Sequence, residues 1–297
     1  MKSGRSQGRL FIAKVKLKAF WEIGVGLDFY LGIHVAAWID RCEVPMFISM
    51  NQLWNRKKKF QQKGRVAIDS GGFTELRLNG EWTKTALDYA DKLNDLVVNR
   101  NLKIDWAAPQ DWMVEPFMLE RTGLSVEEHQ IRTVENYIEL NELTKNEEFE
   151  IIPVLQGWSM DDYFQCWEMY DSYGVDLRSV ERVGVGSVCR RQSEREIGEL
   201  MLNLKREGLS LHGFGVKSIG LDMYWDCLDS VDSLGWSMNA RRNPDRVCVR
   251  CEMLNLNKPN CGNCLEYGIE WRSRILNKIE KGGKILRLFD YESSSEC

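Results

Sequence analysis

Histidine is scarce in this chain, with three in 297 residues. His34, His129 and His212 are widely spaced, so no Ser/His/Asp arrangement can be argued, and His129 falls in a helical pattern where a surface position is expected. Phosphate-loop signatures are missing as well. Neither G-x-G-x-x-G nor a Walker pattern occurs, and the glycines of "GVGSV" and "GFGVKSIG" are a weak signal alone, so nucleoside-triphosphate use is unsupported. No apolar run approaches the ~20 residues needed to span a bilayer. The basic N-terminus is not followed by an apolar stretch and a small-residue cleavage site, so neither a membrane span nor a signal peptide is read. Positive charge is not in excess either: the formal net charge of −4 argues against a broad nucleic-acid-coating surface. Internal repeats and low-complexity linkers are also lacking.

Cysteine is present in a different pattern from that of a secreted disulfide scaffold. Of nine in the chain, four fall in "CVRCEMLNLNKPNCGNC". Cys248, Cys251, Cys261 and Cys264 form two C-x-x-C knuckles, the spacing of a closed, tetrahedral, structural Zn²⁺ site. A reducing cytoplasm is expected. Cys42, Cys166, Cys189, Cys227 and Cys297 are read as inert core or tail thiols. Charge is unevenly spread. Basic blocks stand at residues 1–20, at "NRKKKFQQKGR" (55–65) and at "ARRNPDRVCVRC" (240–251), so a segregated binding surface is possible despite the net charge.

Short apolar runs alternate with helical patterns. Strands are expected at 28–35, 45–50, 65–72, 104–112, 149–157, 180–188, 211–216 and 229–236. Helices are expected between them, and Ser125 with Glu128 reads as a capping box. Eight such units in about 250 residues imply a (β/α)₈ TIM-type barrel, with a doubly wound open sheet as the competing arrangement. The expected division is a basic segment 1–26, one barrel domain 27–290 containing a zinc-binding subregion 245–267, and a tail 291–297.

Asp69, Asp111, Gln156, Ser187 and Asp232 sit at or just after the C-terminal ends of different expected strands, which favours the barrel, because barrels assemble their sites on that face. In "VAIDSGGFTEL" an acid at a strand mouth precedes two glycines. The glycines serve a tight turn or let a flat ligand approach the backbone. Asp69 and Asp232 could divide glycosyl-transfer chemistry between a nucleophile and a proton carrier. Asp111 and Gln156 offer groups suited to a heterocycle's edge, and Phe73 could stack on it. The competing reading is that Asp69 and Asp111 cap the helices that follow.

The runs "AIDSGGF", "VLQG", "VGVGSV", "GFGV" and "VDSLGWSMNAR", in this order, resemble the tRNA-guanine transglycosylases over roughly residues 28–270. "DWAAPQDWMVEPFMLERTGLSVEEHQ", "PVLQGWSMDDY" and "VGVGSVCRR" are closer to one branch, the DpdA family, which places 7-deazaguanine bases in DNA. The resemblance implies that Asp232 is the nucleophile and Asp69 the acid/base group. It implies that Asp111 and Gln156 bind the base edge, that Gly184 and Gly186 complete the pocket, and that Phe73 stacks on one face. His212 falls near the position of the apolar residue on the other face. The metal set departs from the tRNA enzymes, which use three cysteines and a histidine. The implied partners are DNA and a 7-deazaguanine base such as preQ0, with a homo-oligomer or partner subunit left open. A base in a duplex would be flipped out at a cost of about a few kcal/mol, with Lys14, Lys16, Lys57, Lys58 and Lys59 as candidate phosphate contacts. The same exchange on tRNA, or a catalytically silent nucleic-acid-binding or partner subunit, are the alternatives.

Overall fold

The apolar β-branched runs form nine short strands, most of them ending where a polar or glycine-rich turn begins. They are β1 (Asp28–Ile33), β2 (Met46–Ser49), β3 (Val66–Asp69), β4 (Ile104–Ala107), β5 (Glu150–Ile151), β6 (Val154–Leu155), β7 (Val183–Val185), β8 (Leu211–Gly213) and β9 (Ser230–Ser233). The computed structural model describes residues 26–191, 194–254 and 260–293, with side chains to 282. The basic segment expected at 1–26, including Lys14 and Lys16, lies outside the described residues except for Gly26.

All nine strands are parallel, in the order β5-β4-β3-β2-β1-β9-β8-β7-β6. Each pairs with sequence neighbours, and the last pairs with the first. The expected fifth strand is split by Ile152 and Pro153 into β5, which pairs with β4, and β6, which pairs with β7. Proline has no N–H for a ladder. Its carbonyl still accepts from Gly184 N at 2.8 Å, and Ile152 N donates to Ala107 O at 3.0 Å. The result is a curled parallel sheet whose end strands are joined through the chain rather than by pairing.

Ten α-helices are described: α1 (Gly72–Asn79), α2 (Ala86–Asn94), α3 (Pro116–Thr122), α4 (Val126–Thr144), α5 (Met160–Ser172), α6 (Arg195–Arg206), α7 (Ser218–Tyr224), α8 (Gly235–Arg242), α9 (Val249–Met253) and α10 (Leu265–Ser293). Local signals set several starts. Thr85 with Asp88, Ser125 with Glu128 and Ser159 with Asp162 form reciprocal capping boxes on α2, α4 and α5. Helix α10 passes the boundary expected at 291, so the first residues of the presumed tail are helical. Among the described residues no helix is long and apolar enough to cross a membrane.

Strand alternation sorts the side chains into two cores. Phe29, Leu31 and Ile33 of β1 join the large apolar cluster under the helices. Tyr30, Phe47, Ala67, Trp106 and Ile152 form a second cluster inside the curl, with Phe214 packed against it. Below them, at the N-terminal ends of the strands, Arg65 pairs with Asp28 and Asp105, and Tyr30 Oη donates to Asp105 Oδ2 at 2.5 Å. Above them, at the C-terminal ends, the inward side chains become small or polar, and a cavity opens.

Candidate active site

The cavity encloses about 280 Å³ and is lined by groups from most of the strand ends. Among them are Ser49 after Phe47 in β2, Asp69 after Ala67 in β3, and Asp232 after Ser230 in β9, each two residues beyond an inward position. Phe73, Asp111, Met113, Glu115, Gly186, Ser187, Cys189, Phe214 and Leu234 complete much of the wall. The backbone leaves no space at Gly32, where a Cβ would lie 2.8 Å from Leu234 N.

The Gly71 N–H and the Ser49 hydroxyl favour the ionised form of Asp69, yet its pKa is pushed up to about 6. Burial is the main cause and the negative charge of Asp232 the second. Asp111 is pushed up further, to about 7, by burial and then by the charge of Asp69, against the opposing hydrogen bond from Gln156. Glu115 is also raised, mainly by burial. The carboxyls thus form a mutually repelling set in which full ionisation is disfavoured.

Asp232 is 6% exposed. Its Oδ1 accepts from Gly215 N at 2.8 Å and faces His212 Nε2 at 3.5 Å, while Oδ2 has no partner among the described residues. Gln156 is fully buried and does not line the cavity. Its Nε2 donates to Asp111 Oδ2 at 2.6 Å, and its Oε1 accepts from Ser187 Oγ at 2.8 Å. Gly186 is required for this arrangement, since a Cβ there would lie 2.3 Å from Gln156 Nε2.

The segment carrying Asp111, Met113 and Glu115 has no regular structure and is fixed from behind by side chains. Gln110 N donates to Asn136 Oδ1 and Trp112 N to Thr133 Oγ1, both at 2.8 Å, and Val114 N donates to Ser187 Oγ at 3.0 Å. The Met113 carbonyl accepts from His129 Nδ1 at 2.7 Å, so His129 carries its proton on Nδ1 and receives the Thr122 hydroxyl at Nε2, also 2.7 Å. His129 is fully buried, which corrects the surface position expected for it.

Other expectations divide. Asp69, Asp111, Phe73, Gly186 and Asp232 meet at the cavity. Gly184 does not; it lies within β7 against Phe214, where a Cβ would be 2.4 Å from that ring. His212 does not stack over the cavity either. It lies behind Asp232 among Trp106 and Phe214, with ring centroids 4.6 and 4.8 Å away. Gly71 serves the turn, at φ +89°, and Gly72 lines the wall, so both answers to the glycine pair hold at different residues. Cys189 lines the cavity rather than the core. Lys57, Lys58 and Lys59 stand away from it. The Lys57 carbonyl accepts from Arg100 Nη1 at 2.8 Å, and Arg100 precedes β4 at the opposite end of the sheet.

Glu115 and Arg190 were missed as site residues. Glu115 had one weak signal, an acid held extended before Pro116. The exposed guanidinium of Arg190 lies over Phe73 and Phe117, at 5.1 and 4.6 Å from their ring centroids, which places a cation at the cavity rim.

Cys248, Cys251, Cys261 and Cys264 are all buried, with their sulfurs within 4.8 Å of one another. Cys264 Sγ stands 3.6 Å from Cys248 Sγ and 3.9 Å from Cys251 Sγ. A tetrahedron with metal–sulfur bonds of ~2.3 Å has edges of about 3.8 Å, so the cluster fits a metal ion. The model of the family described as DeoxyPurine in DNA protein A matches residues 26–289. No curated protein matches the chain.

Proposed function

The chain belongs to the DpdA family, and from that premise we propose that it exchanges guanine in DNA for a 7-deazaguanine base through a covalent glycosyl-enzyme on Asp232. Family membership supports a role in deazapurine modification of DNA. The carrying observation is the placement of Asp69 and Asp232 at one cavity, with Asp69 held near pKa 6 by burial and by Asp232. A group of that strength can both give and take a proton near neutral pH.

In the proposed reaction, Asp232 Oδ2 attacks C1′ while its other oxygen stays on Gly215 N–H. The C1′–N9 bond breaks, and guanine leaves with the electron pair and a proton from Asp69. The incoming base gives its N9 proton to the Asp69 carboxylate, N9 attacks C1′, and the ester to Asp232 breaks. The bond count is conserved, so neither ATP nor a redox partner is required. Phe73 offers a stacking face. Asp111 accepts from the donors on the base edge, and Gln156 acts by fixing Asp111 rather than by touching the base. Arg190 at the rim is suited to a backbone phosphate.

The four cysteines are assigned a structural Zn²⁺, since four thiolates leave no open position for a substrate. We take the curled sheet to act as one barrel domain, closed through the kinked stretch 150–155.

The test offers labelled 7-deazaguanine precursor to DNA and tRNA side by side. Incorporation into DNA is expected; incorporation into tRNA alone would overturn the DNA assignment.

A further inference from the structure

We propose that His212 is a positioning residue whose Nε2–H faces Asp232 and orients it for attack. This rests on the reading of Asp232 as nucleophile. Arg182 is a side chain that can only donate. Its Nε donates to Ser230 Oγ at 3.0 Å. Register explains the neighbour: Ser230 of β9 stands opposite His212 of β8, and the two side chains meet with Oγ and Nδ1 2.9 Å apart. Ser230 is buried, and its hydroxyl hydrogen has one acceptor among the described residues, the Nδ1 lone pair.

The other tautomer fails twice. With the proton on Nδ1, the Ser230 hydrogen would have no acceptor. The Nε2 lone pair would also face the Asp232 carboxylate across 3.5 Å. The proton therefore sits on Nε2, an otherwise unpartnered buried atom, aimed at Oδ1. At 3.5 Å the contact is long for a hydrogen bond. It acts as an oriented dipole that, with Gly215 N–H, holds Oδ1 and turns Oδ2 outward. The rings of Tyr30, Phe47, Trp106 and Phe214 surround the imidazole, and burial lowers its pKa, so it remains neutral.

Two measurements test this. Nitrogen NMR of the imidazoles should show His212 protonated at Nε2 and His129 at Nδ1, with assignment by His212→Gln. A His212 proton on Nδ1 would overturn the proposal whatever the enzyme's activity. In exchange of labelled guanine into DNA, His212→Met should lower kcat about 10–100-fold with KM for guanine within about twofold. His212→Gln restores an amide donor at the same distance from the backbone and should stay within about threefold of wild type. Equal losses in both variants, or no loss in His212→Met, would reduce His212 to packing. Retention of exchange and of the trapped adduct in Asp232→Asn would instead overturn the nucleophile assignment, with the tautomer still standing.

Discussion

Asp69, at the end of β3, has its pKa raised by burial and then by the negative charge of Asp232, at the end of β9. Two carboxyls from different strands thus differ in how readily they ionise. In the exchange proposed above, the carboxyl that resists ionisation would carry the proton, and the one held by Gly215 N–H would attack.

Asp232→Asn keeps the shape and removes the anionic oxygen. Exchange and the covalent DNA adduct should both vanish, with Tm close to wild type. Denaturing gels of the enzyme with DNA report the adduct, and near wild-type exchange would remove Asp232 from the reaction.

Asp69→Asn should leave adduct formation slow but detectable, with exchange down about 10²–10⁴-fold. Single-turnover rates distinguish this from Asp232→Asn. An unchanged rate would assign proton transfer elsewhere.

The same carboxyls make stability depend on pH. Their folded values, about 6 for Asp69 and about 7 for Asp111, lie above the ordinary 3.8. The folded chain therefore keeps protons that the unfolded chain has already released. Their stabilisation is complete below pH about 4 and is lost as pH rises through 6 and 7. Replacing both by Asn should raise Tm relative to wild type by several degrees at pH 8 and by little at pH 4. A difference independent of pH would contradict the raised values.

Ser187→Ala should act at a distance. Its hydroxyl serves Val114 N and Gln156 Oε1, and removing it leaves buried groups unpaired at about 1–3 kcal/mol each. With Gln156 loosened, Asp111 loses its fixed orientation, so KM for the base should rise. Titration with labelled guanine checks this; unchanged affinity would mean that Gln156 holds its position alone.

Cys248→Ser should release the metal and lower Tm without changing which base is accepted, because the four-cysteine site lacks an open position. Elemental analysis of wild type should give one zinc per chain. A folded, active preparation without zinc would sink the assignment.

Much of this was legible in sequence because the signals are local. The capping pair Ser125 with Glu128 lies three residues apart, and an acid two residues beyond an inward strand position must reach the same face. The failures are non-local. The helical pattern puts His129 on a surface, whereas the irregular stretch 109–115 needs its Nδ1–H. His212 was expected over the base by position, but the β8–β9 register turns it toward Ser230. Lys57, Lys58 and Lys59 looked like a footprint because composition does not reveal which end of a strand a loop returns to.

The aromatic layer of Tyr30, Phe47 and Trp106, backed by Arg65 between Asp28 and Asp105, makes the cavity a blind pit. Among the described residues it opens at the C-terminal ends of the strands. In the exchange proposed above, the departing base would have to clear the mouth before its replacement could enter, while the sugar stayed tethered to the wall. Turnover is then an alternation rather than a meeting, with the two bases taking turns in one seat. Its initial-rate plots should be parallel lines, and the released base should compete with the incoming one.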